Sequence, residues 1–267
     1  LSVVNTIILR RGRKVIQTGV SLINWRSRWF SLHNVVEYFF WFKSLLQWYA
    51  DHQLVPLGGV GVLFPKEALI EIGGWDETCL TEDAKIGVDL SVAGYTFDVF
   101  ANEKYATQEE APGSISAFIR QRTRWIQGYL QIIASGNWRR LPVKQQLHFL
   151  MLFLFPLMKF GLYLWLIFSL LLSPKLPVLL VMFSFAPLTL LFFQLMIHSM
   201  GIYEMLRSRK EAAWIAVRAV FIYILSYLPY DLLMSYCAIR AAYRHLTNNT
   251  AWEKTFHQNL HRRRLVI

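Results

Sequence analysis

Two short clusters in this chain carry side chains suited to chemistry. Thr81-Glu82-Asp83 sets two adjacent carboxylates beside a hydroxyl, and Gln121-Arg122-Thr123-Arg124-Trp125 sets an amide, guanidinium groups and an indole close together. A carboxylate at the mouth of a cleft can take a proton from a hydroxyl as that oxygen attacks. A guanidinium matches the oxygens of a phosphate bidentately. Gln121, Arg124 and Trp125 stand at i, i+3 and i+4 and share one face of a helix, while Arg122 points elsewhere. On that face an amide and a guanidinium can grip a diphosphate, and the indole offers a flat platform to a sugar ring. Asp83 is the candidate base, with Glu82 beside it in the catalytic pair and Thr81 on the substrate side. Simpler readings compete: the acidic trio could merely cap a helix, and the basic helix could merely snorkel beside a membrane.

These clusters need elements to hold them. Val15–Asn24 has the β-branched content of a strand, and Trp25–Tyr49 reads as a long aromatic-rich amphipathic helix. Pro56–Phe64 (PLGGVGVLF) is a glycine-rich turn running into a short strand, with Gly58 and Gly59 able to approach a ligand closely. Lys66–Ile72 predicts a short helix ended by Gly73-Gly74. Glu82–Ala93 predicts a helix closed by Gly94, with its positive end under the two carboxylates. Tyr95–Phe100 predicts a strand. A further helix near Ser114–Ser135 would carry the Gln121–Trp125 cluster, with Ser114 or Ser116 as its cap.

Apolar residues make up 55% of the 267 and aromatic residues 15%, and the mean hydropathy is +0.33. Three apolar runs follow the second cluster, at about 147–172, 176–197 and 212–238. Each is long enough for a hydrocarbon core, which takes roughly 20 residues. Pro174, Lys175 and Pro177 mark a tight turn between the first two. The chain divides into a mixed α/β part over 1–141, a helical membrane part over 142–246 and a basic tail over 247–267. The formal net charge of +11 is concentrated beside the apolar runs, at Arg139, Arg140 and Lys144, at Arg207, Arg209 and Lys210, and at Arg262–Arg264. That placement points to lipid headgroups on the cytoplasmic side and not to nucleic acid. Basic flanks on both sides of the third run call for an even number of crossings between them. With Pro229 in its middle, that run reads either as two half-helices or as one kinked span. Lys159, His198, Arg218 and Asp231 are its costly polar insertions and those of its neighbours. Cys79 and Cys237 suggest no disulfide framework, and the scattered histidines, His257 and His261 included, suggest no metal site.

The motifs also come in a characteristic order: Gly58-Gly59, Gly73-Gly74-Trp75-Asp76, Thr81-Glu82-Asp83, Gly94-Tyr95, Glu109-Glu110-Ala111-Pro112, then Gln121-x-x-Arg124-Trp125 and apolar runs. This order resembles the second half of the membrane-integrated family 2 glycosyltransferases, the group of cellulose and hyaluronan synthases. The likeness is specific over about residues 15–135 and architectural beyond. It implies the C-terminal part of a GT-A, Rossmann-like α/β domain followed by a transmembrane helical domain. It implies Asp83 as general base, Gln121, Arg124 and Trp125 on the diphosphate and acceptor sugar, and Gly58 and Gly59 on an acceptor-side loop. It also implies a nucleotide-sugar donor, most simply UDP-linked, a glycan or lipid acceptor, and Mg²⁺ or Mn²⁺ held by an Asp-x-Asp motif. No Asp-x-Asp occurs in these residues, and the chain begins at Leu1. The expectation is therefore a fragment without its metal- and uracil-binding half, inactive alone, from an integral protein of a bacterial-type inner (plasma) membrane with its catalytic part cytoplasmic. The Trp252-Glu253-Lys254-Thr255 tail resembles one found in some bacterial members and is expected to pack on the catalytic domain. Two other readings compete with a polymerising synthase: a non-processive transferase making a lipid-linked sugar, and a non-enzymatic membrane transporter or scaffold.

Overall fold

A computed structural model describes residues 15–172 and 177–253. The expected turn at Pro174-Lys175 and the tail from Lys254 onward lie outside the described residues.

The α/β layer is built on two small sheets. Strand β1 (Val15–Thr18) runs parallel to β4 (Phe97–Phe100), with Ile16 opposite Asp98, and antiparallel to β3 (Val62–Leu63), with Ile16 opposite Leu63. A second, parallel pair joins β2 (Val20–Leu22) to β5 (Thr107–Glu109). β1 is hemmed in on both faces, which is why Val15 and Ile16 are wholly buried. Around it pack Leu46, Val55, Leu57, Ile86, Leu90 and Phe97. Each such side chain contributes about 1.5–3 kcal/mol when fully buried.

The long aromatic helix forms as α1 (Trp29–Phe40), a π-helical turn over Trp41–Leu45, and α2 (Leu46–Asp51). The extra residue of the π-turn re-aims the chain and sends Phe42 beneath the glycine-rich turn, next to Gly58. α3 (Lys66–Glu71) ends where Gly73 and Gly74 adopt positive φ. α4 (Glu82–Val92) ends before Gly94, and α5 (Ile115–Ser135) starts under Ser114, whose hydroxyl accepts the Ala117 amide at 3.2 Å. Asn24 clamps the loop before α5, donating to Ala111 O at 3.0 Å and accepting from Ala111 N at 2.7 Å.

Behind this layer stand α6 (Val143–Leu172), α7 (Val178–Ser184), α8 (Ala186–Ser208) and α9 (Ala213–Leu246). Three helical stretches, Val143–Ser169, Ala186–Ser208 and Ala213–Leu246, are long and apolar enough to cross a membrane. The second differs from the run expected at 176–197. The helix breaks at Phe185, ahead of Pro187, and continues beyond the apolar run through Gly201 to Ser208. The third resolves an ambiguity: α9 is one continuous helix with Pro229 inside it. What sustains it is a buried stripe at Ala216, Ala219, Tyr223, Tyr227, Tyr230, Cys237, Ala241 and Arg244, spaced by three, four or seven residues. The N-terminal part of that stripe packs on Leu22, Leu32, Val35 and Val36, and the C-terminal part on Phe30, Phe118 and Ile126.

Candidate active site

The Thr81–Asp83 segment lies where α4, α5 and the glycine-rich turn meet. Two glycines make the meeting possible. A Cβ on Gly87 would stand 2.0 Å from Val55 O and 2.6 Å from Leu57 N, so only glycine lets α4 press on the segment leading into the turn. A Cβ on Gly128 would stand 2.2 Å from Thr81 Oγ1, so only glycine lets α5 touch the catalytic loop. Thr81 sits at the N-cap of α4 and is buried, yet its side chain makes no capping hydrogen bond. Its hydroxyl faces Gly128, which removes simple capping as the account of this residue.

Asp83 is half-buried in the first turn of α4. Its Oδ1 accepts its neighbour Ala84's amide at 2.8 Å. Its Oδ2 would lie 3.0 Å from a Cβ placed on Gly59. The turn is fixed from below by Gln17 on β1, which accepts from Gly58 N at 2.8 Å and donates to Val60 O at 2.8 Å. The Gly58 amide thus points at Gln17, and Gly59 is the glycine that opens space over the carboxylate. Burial pushes the Asp83 carboxyl above the usual carboxylate range; the Ala84 amide opposes this, the adjacent Glu82 charge adds to it, and the Arg124 guanidinium opposes it. A carboxylate with enhanced proton affinity in a cleft suits a general base.

Arg124 donates to Leu80 O at 3.1 Å. Burial lowers its proton affinity, with Asp83 and Glu82 opposing that. Its Nε is buried without a hydrogen-bond partner among the described residues, a donor left over for an anionic group. Gln121 lies one turn earlier on α5, half-buried. Trp125 sits 6.5 Å from the Tyr38 ring with the Arg122 guanidinium 4.8 Å from its own ring centroid. Arg122 does turn away from Arg124: it is buried, paired with Glu37 at 2.5 Å and hydrogen-bonded to Asn34. Tyr129, one turn after Trp125, has its phenol pushed up to about 12 by burial and by the Asp83 charge.

The C-terminal segment reaches the same place. Arg244 donates to Gln127 Oε1 at 2.9 Å and to Ala251 O at 2.7 Å, and Gln127 donates to Asn249 O at 2.7 Å. Arg240 grips Glu253 with bonds of 2.8 and 2.6 Å. This lays the Trp252 ring 4.3 Å from the Arg124 guanidinium carbon. The described part of the tail, up to Glu253, packs on the α/β layer. Sequence reasoning missed its target, as it missed Gln17 and Gly128; a glycine inside a helix was the one available signal.

Residues 2–197 match glycosyl transferase family group 2. The chain belongs to that family. Membership carries the GT-A α/β fold to which the two parallel strand pairs and the helices around them correspond. Over 97 residues the chain is 26% identical to a poly-beta-1,6-N-acetyl-D-glucosamine synthase of Staphylococcus epidermidis, covering 36% of this chain and 23% of that protein. Over 83 residues it is 32% identical to a UDP-forming cellulose synthase, the catalytic polypeptide of Dictyostelium discoideum, covering 31% of this chain and 8% of that protein. A Staphylococcus aureus poly-beta-1,6-N-acetyl-D-glucosamine synthase is 27% identical over 93 residues, covering 33% of this chain and 21% of that protein. The matched stretch thus spans less than a quarter of the length of these relatives.

Among the described residues no three His, Cys, Asp or Glu side chains converge.

Proposed function

We propose that this chain forms the base and acceptor side of a membrane-integrated polysaccharide synthase that transfers a sugar from a nucleotide donor, UDP-linked, to a growing glycan. The observation that carries the reading is the half-buried Asp83 under the open face of Gly59, with Arg124 across from it on α5. The acceptor hydroxyl gives its proton to Asp83 as its oxygen bonds to the anomeric carbon. The bond from that carbon to the diphosphate oxygen breaks on the opposite face, inverting the centre. Arg124, through donors not spent on Leu80 O, and Gln121 stabilise the departing diphosphate. Trp125 supports the acceptor ring, Thr81 lines the base, and Glu82 keeps the proton affinity of Asp83 high. Mg²⁺ or Mn²⁺ would accompany the diphosphate, on ligands outside the described residues. The apolar helices anchor the protein in a bacterial-type plasma membrane, with lipid around them and the catalytic layer in the cytoplasm. The order of the motifs and their approach favour this reading over a transporter or scaffold.

The test uses membranes bearing the full-length protein, each labelled UDP-sugar and Asp83→Asn. Polymer made by the native protein and lost in the variant supports the reading. A single lipid-linked sugar moves it to the non-processive transferase. Retention of most activity by Asp83→Asn removes Asp83 as base.

A further inference from the structure

We infer that Gln131 is a positioning residue for the base, acting through the backbone of the loop that precedes it. Gln131 lies on α5 two turns beyond Arg124. Its Oε1 accepts the Leu80 amide at 2.8 Å, and its Nε2 donates to Thr78 O at 3.2 Å. Arg124 takes the other side of the same residue, donating to Leu80 O at 3.1 Å. Midway between them, Gly128 receives the Thr81 side chain. Three positions on one face of α5, at 124, 128 and 131, thus hold three residues of the loop: Thr78 by its carbonyl, Leu80 by its carbonyl and amide, and Thr81 by its side chain.

The geometry matters because the other ties of the loop stop short of the Leu80 peptide. Thr78 is tied to Asp76, which its amide meets at 3.0 Å and its hydroxyl at 2.6 Å. The Cys79 amide meets Asp76 O at 3.1 Å, and the Cys79 side chain is buried in one cluster with Leu54, Ala84 and Val88. The Leu80 amide and carbonyl are met from α5, by Gln131 and Arg124. Asp83 follows three residues after Leu80 on the rigid first turn of α4, so a shift of the Leu80 peptide carries the carboxylate with it. An amide side chain accepts from Leu80 N–H and donates to Thr78 C=O through two separate atoms without adding charge. Gln131 borders an open cavity of about 300 Å³ that Thr78, Cys79 and Lys85 also line. Truncating it therefore lets water in and leaves no sealed void, so its loss is felt in the placement of Asp83 and hardly in folding.

The inference rests on Asp83 being the base, and the experiment separates the two. Full-length protein in membranes is compared as native, Gln131→Met, Gln131→Glu and Asp83→Asn, measuring kcat, donor KM and the pH profile. Met keeps the size and loses both hydrogen bonds; Glu keeps the acceptor for Leu80 N–H. The expected result is a fall in kcat of about 10- to 100-fold for Gln131→Met, with donor KM within about twofold. Gln131→Glu recovers at least part of that loss. The acid limb of the profile moves to lower pH in Gln131→Met, because a loosened loop lets water reach the buried carboxyl. A Gln131→Met protein with native kcat and an unmoved acid limb, alongside inactive Asp83→Asn, overturns the positioning role alone. Equal loss in Met and Glu with an unmoved limb also overturns it, since simple destabilisation does that. An active Asp83→Asn overturns the reading of the base and this inference with it.

Discussion

Gly128→Ala should separate stability from turnover. The added methyl would meet Thr81 Oγ1 at 2.2 Å, Cγ2 at 2.7 Å and Cβ at 2.8 Å. Rotation about χ1 of Thr81 can move the first two atoms but not the third, which is fixed to the loop backbone. Carbon atoms rest at about 3.5–4.0 Å, so α5 and the Thr81 loop must part by roughly 0.7–1.2 Å. Alanine in a helix interior is worth about 0.8–1 kcal/mol over glycine, and overpacking costs about 1–3 kcal/mol. The net loss of stability is therefore at most about 2 kcal/mol. A displacement of that size at the base costs up to about 100-fold in rate, near 2.7 kcal/mol of barrier. The assay is the initial rate of polymer formation at saturating donor, per folded protein, beside thermal unfolding of the same preparation in detergent. A variant retaining half the native rate would show that contact between α5 and the Thr81 loop does not place Asp83, and the account of the site would fall.

Because burial raises the Asp83 carboxyl, activity should fall with decreasing pH at a value above the usual aspartate range near 3.9. Glu82→Gln removes a charge that raises it further, so the acid limb of kcat/KM should move to lower pH; a limb that moves upward contradicts the coupling. Lys159 on α6 forms an ion pair with Asp231 on α9, whose side chain is 3% exposed. Lys159→Met should cost about 3–5 kcal/mol by leaving that carboxylate unpaired. Lys159→Met with Asp231→Leu should recover most of it, as read by unfolding in detergent. No recovery would mean that the pair is not what holds the two helices at this point.

Much of the catalytic layer is legible because local chemistry fixes it. Ser114 caps α5, and Gly73, Gly74, Gly94 and Gly136 take the positive φ that ends helices, so those boundaries follow from single residues. The Arg124–Trp125 spacing gives a shared face wherever a helix forms. β5 could not be read this way: Thr107–Glu109 has no strong strand preference and exists by pairing with β2, a long-range partnership. The break at Phe185 and the persistence of α9 through Pro229 are decided by packing that no window of sequence contains. The same holds for Gln17 beneath the glycine-rich turn and for Trp252 on Arg124. Their roles lie entirely in partners far along the chain, and neither belongs to a recognisable spacing. That the order of motifs pointed to the family while the apolar helices gave only lengths reflects the same division. Chemistry demands particular residue types, whereas lipid accepts any apolar ones.

The stripe on α9 has an electrical consequence. Its early part is seated on Leu22 and Val36 and its last turns on Ile126 and Gln127, so both ends are held against the catalytic layer. Arg218, Arg240 and Arg244 thus ride on a helix fastened near both of its ends. A membrane potential works on a charge only as it moves along the field, at about 2.3 kcal/mol per charge for each 100 mV. If the helices stand in a membrane as proposed, α9 has no loose end to travel along that field, and changes in voltage should leave its charges where they are.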